Sequence, residues 1–143
     1  MDALIGVLIA WIVTKTGMLA PPHPPVIFVP EAQLVQMFYG PKRELASVAR
    51  IHALYSHQEE KIYLVTGWII DDFLHISQLL HELVHHVQRF NKIKAPCLAA
   101  YERQAFDLQL VWLREQGVED PYALLDINEF MIMLSSRCPW TDE

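Results

Sequence analysis

The sequence lacks several features by which broad classes of protein are recognised. Its N-terminal apolar run, residues 3–13, is 11 residues long, whereas a membrane-spanning helix needs about 20. The 11 lysine and arginine residues are scattered, and the net charge is −6. That charge pattern argues against a nucleic-acid partner, because such binding depends on clustered cations. There is also no internal repeat and no low-complexity segment. We expect neither a membrane span nor a nucleic-acid-binding protein.

The beginning of the sequence lacks the marks of a secretory signal peptide. Asp2 follows Met1 where a basic segment would stand, and no small-residue cleavage site precedes Pro21. We interpret residues 3–13 as part of a buried helix. The alternatives are a weak anchor, a retained targeting segment, or a mature form whose signal peptide is absent from this sequence.

The chain has ample apolar material for one hydrophobic core. Hydrophobic residues make up 52% of it and charged residues 20%, a balance typical of globular rather than disordered chains. Because 143 residues suit a single domain, we expect residues 1–143 to form one.

Apolar periodicity and helix-breaking residues predict a mixture of helices and short strands. Helices are expected over 3–16, over 31–40, from Asp71 or Asp72 to about Phe90, over 97–117, and from Pro121 to a point before Cys138. A buried strand is expected over 26–30, and a hairpin with strands over about 47–55 and 61–66. The pattern predicts an α+β fold.

The segment HISQLLHELVHHVQRF, residues 75–90, holds four of the seven histidines. On a helical wheel at about 100° per residue, residues 73–90 divide into two arcs. The apolar arc contains Phe73, Ile76, Leu79, Leu80, Leu83, Val84, Val87 and Phe90, and the polar arc contains His75, Gln78, His81, Glu82, His85, His86, Gln88 and Arg89. This predicts an amphipathic helix, whose polar side is too rich in histidine for an ordinary solvated face. The plain alternative is a surface helix with incidental histidines.

Within this segment, HELVH (81–85) has the pattern His-Glu-x-x-His. Residues four apart on a helix lie about 5–6 Å apart at Cβ, so His81 and His85 can ligate one zinc ion at about 2.0–2.1 Å each. Glu82 is rotated about 100° from His81, and we expect it beside a zinc-bound water instead. Zinc lowers the pKa of that water to about 7. Glu82 can then take the proton as hydroxide attacks a carbonyl carbon.

A catalytic zinc site needs a third protein ligand, and Glu102 is the candidate. It lies 17 residues after His85 on the next expected helix, and three nearby alanines would let that helix approach the histidine helix closely. Asp107 is the rival ligand, or an acceptor for a ligating imidazole. The plain alternative for Glu102 is a solvent-facing glutamate.

The sequence HELVHH, followed by a helix carrying YERQAF, resembles the gluzincin zinc metallopeptidases, and in size the chain is similar to their minimal single-domain members, the minigluzincins. The resemblance spans roughly residues 3–116, and its specific part is His81, Glu82, His85 and Glu102. It implies a minimal zincin fold, in which a small sheet with a hairpin packs on a central HExxH helix and further helices follow. It also implies one zinc ion per chain, held by the two histidines and Glu102, with Glu82 as general base for hydrolysis of a peptide or protein substrate.

The resemblance further implies a substrate-binding edge strand before the metal helix. The residues at that position are His52, Ala53, Leu54 and Tyr55, and we expect peptide backbone to pair there; a plain amphipathic strand is the alternative. Larger family members stabilise the oxyanion with a tyrosine or histidine that has no evident counterpart here. The candidates for that role are Tyr55, His57, Tyr63, Tyr101 and Tyr122. An obvious second subdomain, which would form the lower wall of a cleft, is also lacking. This departure bears on efficient proteolysis and not on zinc binding.

The remaining histidines have plainer interpretations. His75 and His86 share a helical stripe with Glu82, where they would orient the base, bind substrate, or simply be polar residues at the rim. The histidines expected to be ordinary loop or strand residues are His23, His52 and His57.

Two other functions stay open beside a zinc peptidase. One is a zinc-bound but catalytically idle domain that binds a protein partner through its edge strand. The other is an accessory domain without metal. The substrate preference and the oligomeric state are not predicted by the sequence.

The two cysteines, Cys97 and Cys138, are expected to form a disulfide. Cys97 begins the helix of Glu102, and Cys138 ends the next helix after a short turn. Helices joined by so short a turn are antiparallel neighbours, so both cysteines would lie at the same end of the pair. The bond would close a loop of roughly 42 residues, worth about 4 kcal/mol in the chain-entropy model. It would favour a periplasmic or secreted protein, whereas two unpaired thiols would favour the cytoplasm.

Overall fold

The computed structural model describes residues 1–40 and 51–139, which form helices and a small sheet. The helices are α1 (Asp2–Thr16), α2 (Glu31–Tyr39), α3 (Phe73–Phe90), α4 (Glu102–Glu115), α5 (Pro121–Leu125) and α6 (Glu129–Ser136). The strands are β1 (Val26–Val29), β2 (Ala53–Ser56) and β3 (Lys61–Val65), and a 3-10 turn (Leu98–Tyr101) precedes α4. The expected α+β class is confirmed.

Helix α3 lies at the centre of the fold, where α1, α4 and β2 all pack against it. It begins after Asp72, whose side chain accepts the backbone N–H groups of Leu74 and His75. Of the two aspartates that could begin this helix, Asp71 and Asp72, it is Asp72 that caps it. Half of the arc expected to be polar is buried. Its buried members, each 7% exposed or less, are His81, His85, His86 and Gln88.

The sheet of the described residues has the strand order β1-β3-β2. β3 is antiparallel to β2, which confirms the hairpin, and parallel to β1. β2 begins at Ala53, and residues 51 and 52, which were expected to belong to it, lie outside the strand. Residues 47–50 of the expected strand lie outside the described residues. β2 therefore forms one edge of the described sheet, directly before the turn that leads to β3.

Strand β1 was expected to be buried, and this expectation is wrong for most of its length. Val29 is the buried residue of β1, and Phe28 is 51% exposed. The physical reason is its place at the other edge of the described sheet, where β3 is its one neighbour among residues 1–40 and 51–139. The apolar composition of residues 26–30 does not distinguish an edge strand from a central one.

The C-terminal part differs from the expected pair of long helices. The helix expected over 97–117 begins as a 3-10 turn and becomes α-helical at Glu102. The last helix is broken into α5 and α6, because Asp126 adopts a left-handed conformation (φ 55°) and the Asn128 side chain caps α6 by accepting the N–H of Met131. Within residues 1–40 and 51–139, no helix is long and apolar enough to cross a membrane.

The expected disulfide is present. Cys97 and Cys138 are bonded, with Cα atoms 5.8 Å apart. The bond ties the chain just before α4 to the chain just after α6, so it holds the Glu102 helix at its N-terminal end. Ala105, one of the alanines near Glu102, is fully buried, as close packing of α3 and α4 requires.

Candidate metal centre

Three side chains from α3 and α4 converge in the interior. His81 Nε2 lies 2.9 Å from Glu102 Oε2, and His85 Nε2 lies 2.7 Å from Glu102 Oε1. One potential ligand atom from each residue lies within 4.8 Å of the other two. The structure thus brings together the three residues predicted as ligands, and they could hold a metal ion.

Gln109 on α4 fixes the orientation of the His81 ring. Ser77 donates its hydroxyl hydrogen to the carbonyl oxygen of Leu74, so its own oxygen accepts an amide N–H of Gln109 at 3.1 Å. The amide oxygen of Gln109 therefore faces His81 and accepts its Nδ1–H at 2.9 Å. With this proton held at Nδ1, a neutral His81 presents the lone pair of Nε2 to the cluster.

Gln88 has the same effect on His85. Its amide nitrogen donates to the backbone carbonyl of Tyr101 and to the side-chain oxygen of Gln104, so its Oε1 accepts Nδ1–H of His85 at 3.0 Å. In the described part of the chain, the buried Nε2 of His85 is without an assigned hydrogen bond and lies 2.7 Å from Glu102 Oε1 as an ion-pair contact. An orphaned ring nitrogen aimed at a carboxylate is suited to a shared cation.

This donor set fits zinc. Two imidazoles and one carboxylate, with a position left for water, form a recurrent catalytic zinc set. The amides of Gln88 and Gln109 supply the outer hydrogen bonds that such histidines need. Tetrahedral ligand atoms lie about 3.3 Å apart around zinc, so small rotations from the observed 2.7–2.9 Å separations would accommodate the ion.

The same contacts shift the pKa values of the cluster. Burial acts most strongly, to lower the pKa of His81, but the hydrogen bonds with Glu102 and Gln109 and the charges of Glu82 and Glu102 together raise that pKa to about 9. Burial also acts to raise the pKa of Glu102, yet the two histidines hold it well below its usual range. The metal-free cluster therefore binds a proton between His81 and an ionised Glu102. A metal cation would compete with that proton for the same place.

Glu82 points from α3 toward the edge strand. Its Oε1 accepts the backbone N–H of Tyr55 at 2.9 Å, and burial raises the pKa of its carboxyl group. A cleft of about 730 Å³ runs beside this contact. Every residue predicted for the metal, base and substrate roles lines it, namely His52, Ala53, Leu54, Tyr55, His81, Glu82, His85 and Glu102.

His75 and His86 serve structural hydrogen bonds. His86 donates Nε2–H to the carbonyl oxygen of Pro22 at 2.9 Å, so its Nδ1 accepts the hydroxyl of Tyr55 at 2.9 Å. His75 Nδ1 accepts the N–H of Ile69 at 2.8 Å. Both rings fix neighbouring segments, and His86 is buried rather than at the rim of the site.

His57 was expected to be an ordinary residue, although it was also one of five candidates for the oxyanion role, and it lies beside the cluster. Its ring centre is 5.5 Å from that of His85, and burial, together with the nearby His85, lowers its pKa. The hydroxyls of the four tyrosines considered for the oxyanion role are engaged elsewhere: Tyr55 with His86, Tyr63 with Glu59, Tyr101 with the carbonyl of Ile93, and Tyr122 with Glu129. His57 lies directly after β2, and this position is the sequence signal that would have singled it out.

Sequence reasoning also missed the two glutamines behind the histidines. Asp107 was the expected outer acceptor or rival ligand, but it forms an ion pair with Arg103 at 3.1 Å. Gln109, two residues later on α4, takes the acceptor position instead. A signal was available for Gln88, because it lies three residues after His85 on the same helix and side chains so spaced are neighbours.

Comparison with curated proteins and with solved structures finds no match. The family model described as Domain of unknown function (DUF6647) covers residues 1–143, and the chain belongs to this family.

Proposed function

We propose that this protein is a zinc-dependent peptidase with a minimal zincin fold, in which His81, His85 and Glu102 hold the metal. The observation that carries the proposal is the orphaned Nε2 of His85, buried and aimed with Nε2 of His81 at the Glu102 carboxylate. Bound zinc would supply two effects, a pKa of about 7 for a coordinated water and polarisation of a substrate carbonyl.

Glu82 is the general base in this proposal. Its Oε1 is fixed by the N–H of Tyr55, which leaves Oε2 to take the proton of the attacking water. Burial raises the pKa of Glu82, and a carboxylate of raised pKa is a stronger base. The same carboxyl group would return the proton to the amine nitrogen as the peptide C–N bond breaks. The neutral ring of His57 is our candidate donor to the carbonyl oxygen.

The edge strand β2 is the proposed docking site for the peptide backbone. Among the described residues it pairs with β3 on one side only, and residues 52–55 line the cleft that contains the cluster. An extended peptide can add to such an edge through main-chain hydrogen bonds. The backbone would then lie beside Glu82, which already contacts β2 through Tyr55.

A second candidate is a zinc-bound but catalytically idle domain that binds a partner protein through β2. The hydrogen bond from Tyr55 N–H to Glu82 favours it, because it gives the carboxylate a structural task at the edge strand. Under this alternative, loss of the carboxylate would change partner binding but no hydrolysis would be found.

The disulfide between Cys97 and Cys138 is typical of a protein from an oxidising compartment. On that ground we propose that the protein works in the periplasm or is secreted.

Substitution of Glu82 tests the peptidase proposal. Glu82→Gln keeps the shape of the side chain while removing the base, so zinc content and melting temperature should hold. Hydrolysis of a peptide library should fall by about 10²- to 10⁴-fold. Glu119→Gln, the same change at an exposed position, is the matched control. Unchanged hydrolysis in Glu82→Gln would show that Glu82 is not the base, and no hydrolysis by the zinc-loaded parent would favour the idle domain.

A further inference from the structure

A second cavity, of about 650 Å³, opens beside the metal centre. It shares His57 and His85 with the cleft that contains the ligand cluster, so the two spaces meet at the metal site. We call it the basic cavity, because Arg89, Lys92 and Lys94 line it. The function proposed above assigns no role to this cavity.

The charge of the basic cavity is opposite in sign to that of the chain. Three cations and one carboxylate, Glu60, leave it a formal +2, whereas the whole chain carries −6. Arg89 lies 3.4 Å from Glu60. Lys92 and Lys94 are exposed and form no ion pair with any residue of the described ranges. Two ammonium groups are therefore available to a ligand.

Stabilisation of helix α3 does not account for both lysines. Cations favour a helix C-terminus, but the effect fades beyond the last turn. Arg89 lies in that last turn, whereas Lys92 and Lys94 lie past the end of α3 at Phe90. Lys92 and Lys94 line a cavity that reaches the metal site, and this position suits a ligand of negative charge.

The cleft that contains the ligand cluster has an apolar character. Its lining includes Met37, Phe38, Leu54, Phe106 and Ile127. Residues 51–55 of the edge-strand region line this cleft, and His57 and Glu60, which follow β2, line the basic cavity. An extended backbone lying along β2 would therefore pass from the apolar cleft, across the cluster, into the basic cavity.

We propose that the site takes peptides that are apolar on one side of the scissile bond and acidic on the other. The basic cavity binds the Asp or Glu side chains through Lys92 and Lys94, and the apolar cleft binds the other half. This inference rests on the peptidase function proposed above. Charge complementarity of this kind sets specificity among peptides that fit the cleft equally well.

The test compares two peptides that share one apolar half. In the first, the other half contains Asp and Glu; in the second, it contains Asn and Gln at the same positions. Binding is measured by fluorescence anisotropy to zinc-loaded Glu82→Gln, which should not cleave either. Lys94→Glu and Arg137→Glu are then added separately. Each changes the net charge by −2, and Arg137 is exposed and lines neither cavity.

We expect the acidic peptide to bind about tenfold more tightly than the amide peptide at low salt, with the difference shrinking as salt is added. Lys94→Glu should remove most of that preference and Arg137→Glu should leave it. Equal binding of the two peptides, or equal effects of the two substitutions, would overturn the inference. Cleavage of both peptides by the parent without a charge preference would also overturn it, while leaving the peptidase function standing. Preferential binding of the acidic peptide without cleavage of either would support the basic cavity and count against the peptidase function.

Discussion

At the scale of single residues, the site depends on where protons are held. Each histidine of the cluster donates Nδ1–H to a glutamine oxygen, so both Nε2 atoms are directed at Glu102. The HELVH spacing was enough to predict that His81 and His85 point to one place and that Glu82 points elsewhere. It was not enough to predict Gln109, because no sequence pattern states which residue of a second helix will lie behind a given ring. That depends on how α3 and α4 are packed.

Removal of the amide behind His81 should weaken metal binding. Gln109→Leu keeps the approximate volume but deprives Nδ1–H of its acceptor, so the ring loses its fixed orientation. We expect zinc affinity, measured by competition with a chromophoric chelator, to fall by about 10- to 100-fold. Gln33→Leu, at an exposed position on α2, is the matched control. Equal affinity in the two variants would mean that Gln109 does not orient the ligand.

Zinc binding should release a proton. The pKa of His81 is raised to about 9 in the metal-free protein, so near neutral pH the ring carries a proton that the metal must displace. This raised pKa stabilises the metal-free fold fully below pH 6.5, and that contribution is lost as the pH rises through about 9. Zinc affinity should therefore rise with pH over this window.

Titration calorimetry of zinc in two buffers of different ionisation enthalpy would measure the release. The difference in heat should correspond to about one proton per chain near pH 6, where His81 is protonated and a zinc-bound water of pKa about 7 is still largely undissociated. Identical heats in both buffers would contradict a protonated His81.

At the scale of elements, α4 links the disulfide to the candidate metal site. Its first residue is Glu102, and Cys97 lies just before it. The sequence predicted this link because both cysteines fall at ends of neighbouring helices. It did not predict the break between α5 and α6. Asp126 and Asn128 are common helix-interrupting residues, yet the apolar periodicity on either side favoured one continuous helix, and the left-handed turn at Asp126 overrode it.

Loss of the disulfide should lower both stability and metal affinity. Cys97→Ser/Cys138→Ser should reduce the free energy of unfolding by up to about 4 kcal/mol, as expected for a loop of roughly 42 residues. Zinc affinity should fall as well, since the N-terminal end of α4 is no longer held. Chemical denaturation and chelator competition measure the two effects, and the reduced parent protein should behave like the variant. Two thiols titrating in the oxidised, folded parent would rule out the bond.

At the scale of the whole molecule, α1, the sheet and α4 pack around α3, the helix that carries the buried histidines. The core combines residues from α1, the sheet, α3 and α4, and includes Ile12, Leu64, Leu83 and Leu113, each fully buried. Composition and periodicity were sufficient to predict a hydrophobic core and the α+β class. The edge position of β1 was not predictable, because strand order arises from pairing between distant segments and not from the composition of any one strand.

The most direct test of the central claim is the metal content of the purified protein. Elemental analysis of the parent, prepared without chelator, should give about one zinc per chain. His23→Ala should retain it, because His23 binds Asp2 on α1 and lies outside the cluster. His81→Ala/His85→Ala should lose nearly all of it. Full zinc occupancy in that double variant, or a folded parent that binds no zinc when the metal is supplied, would contradict the account.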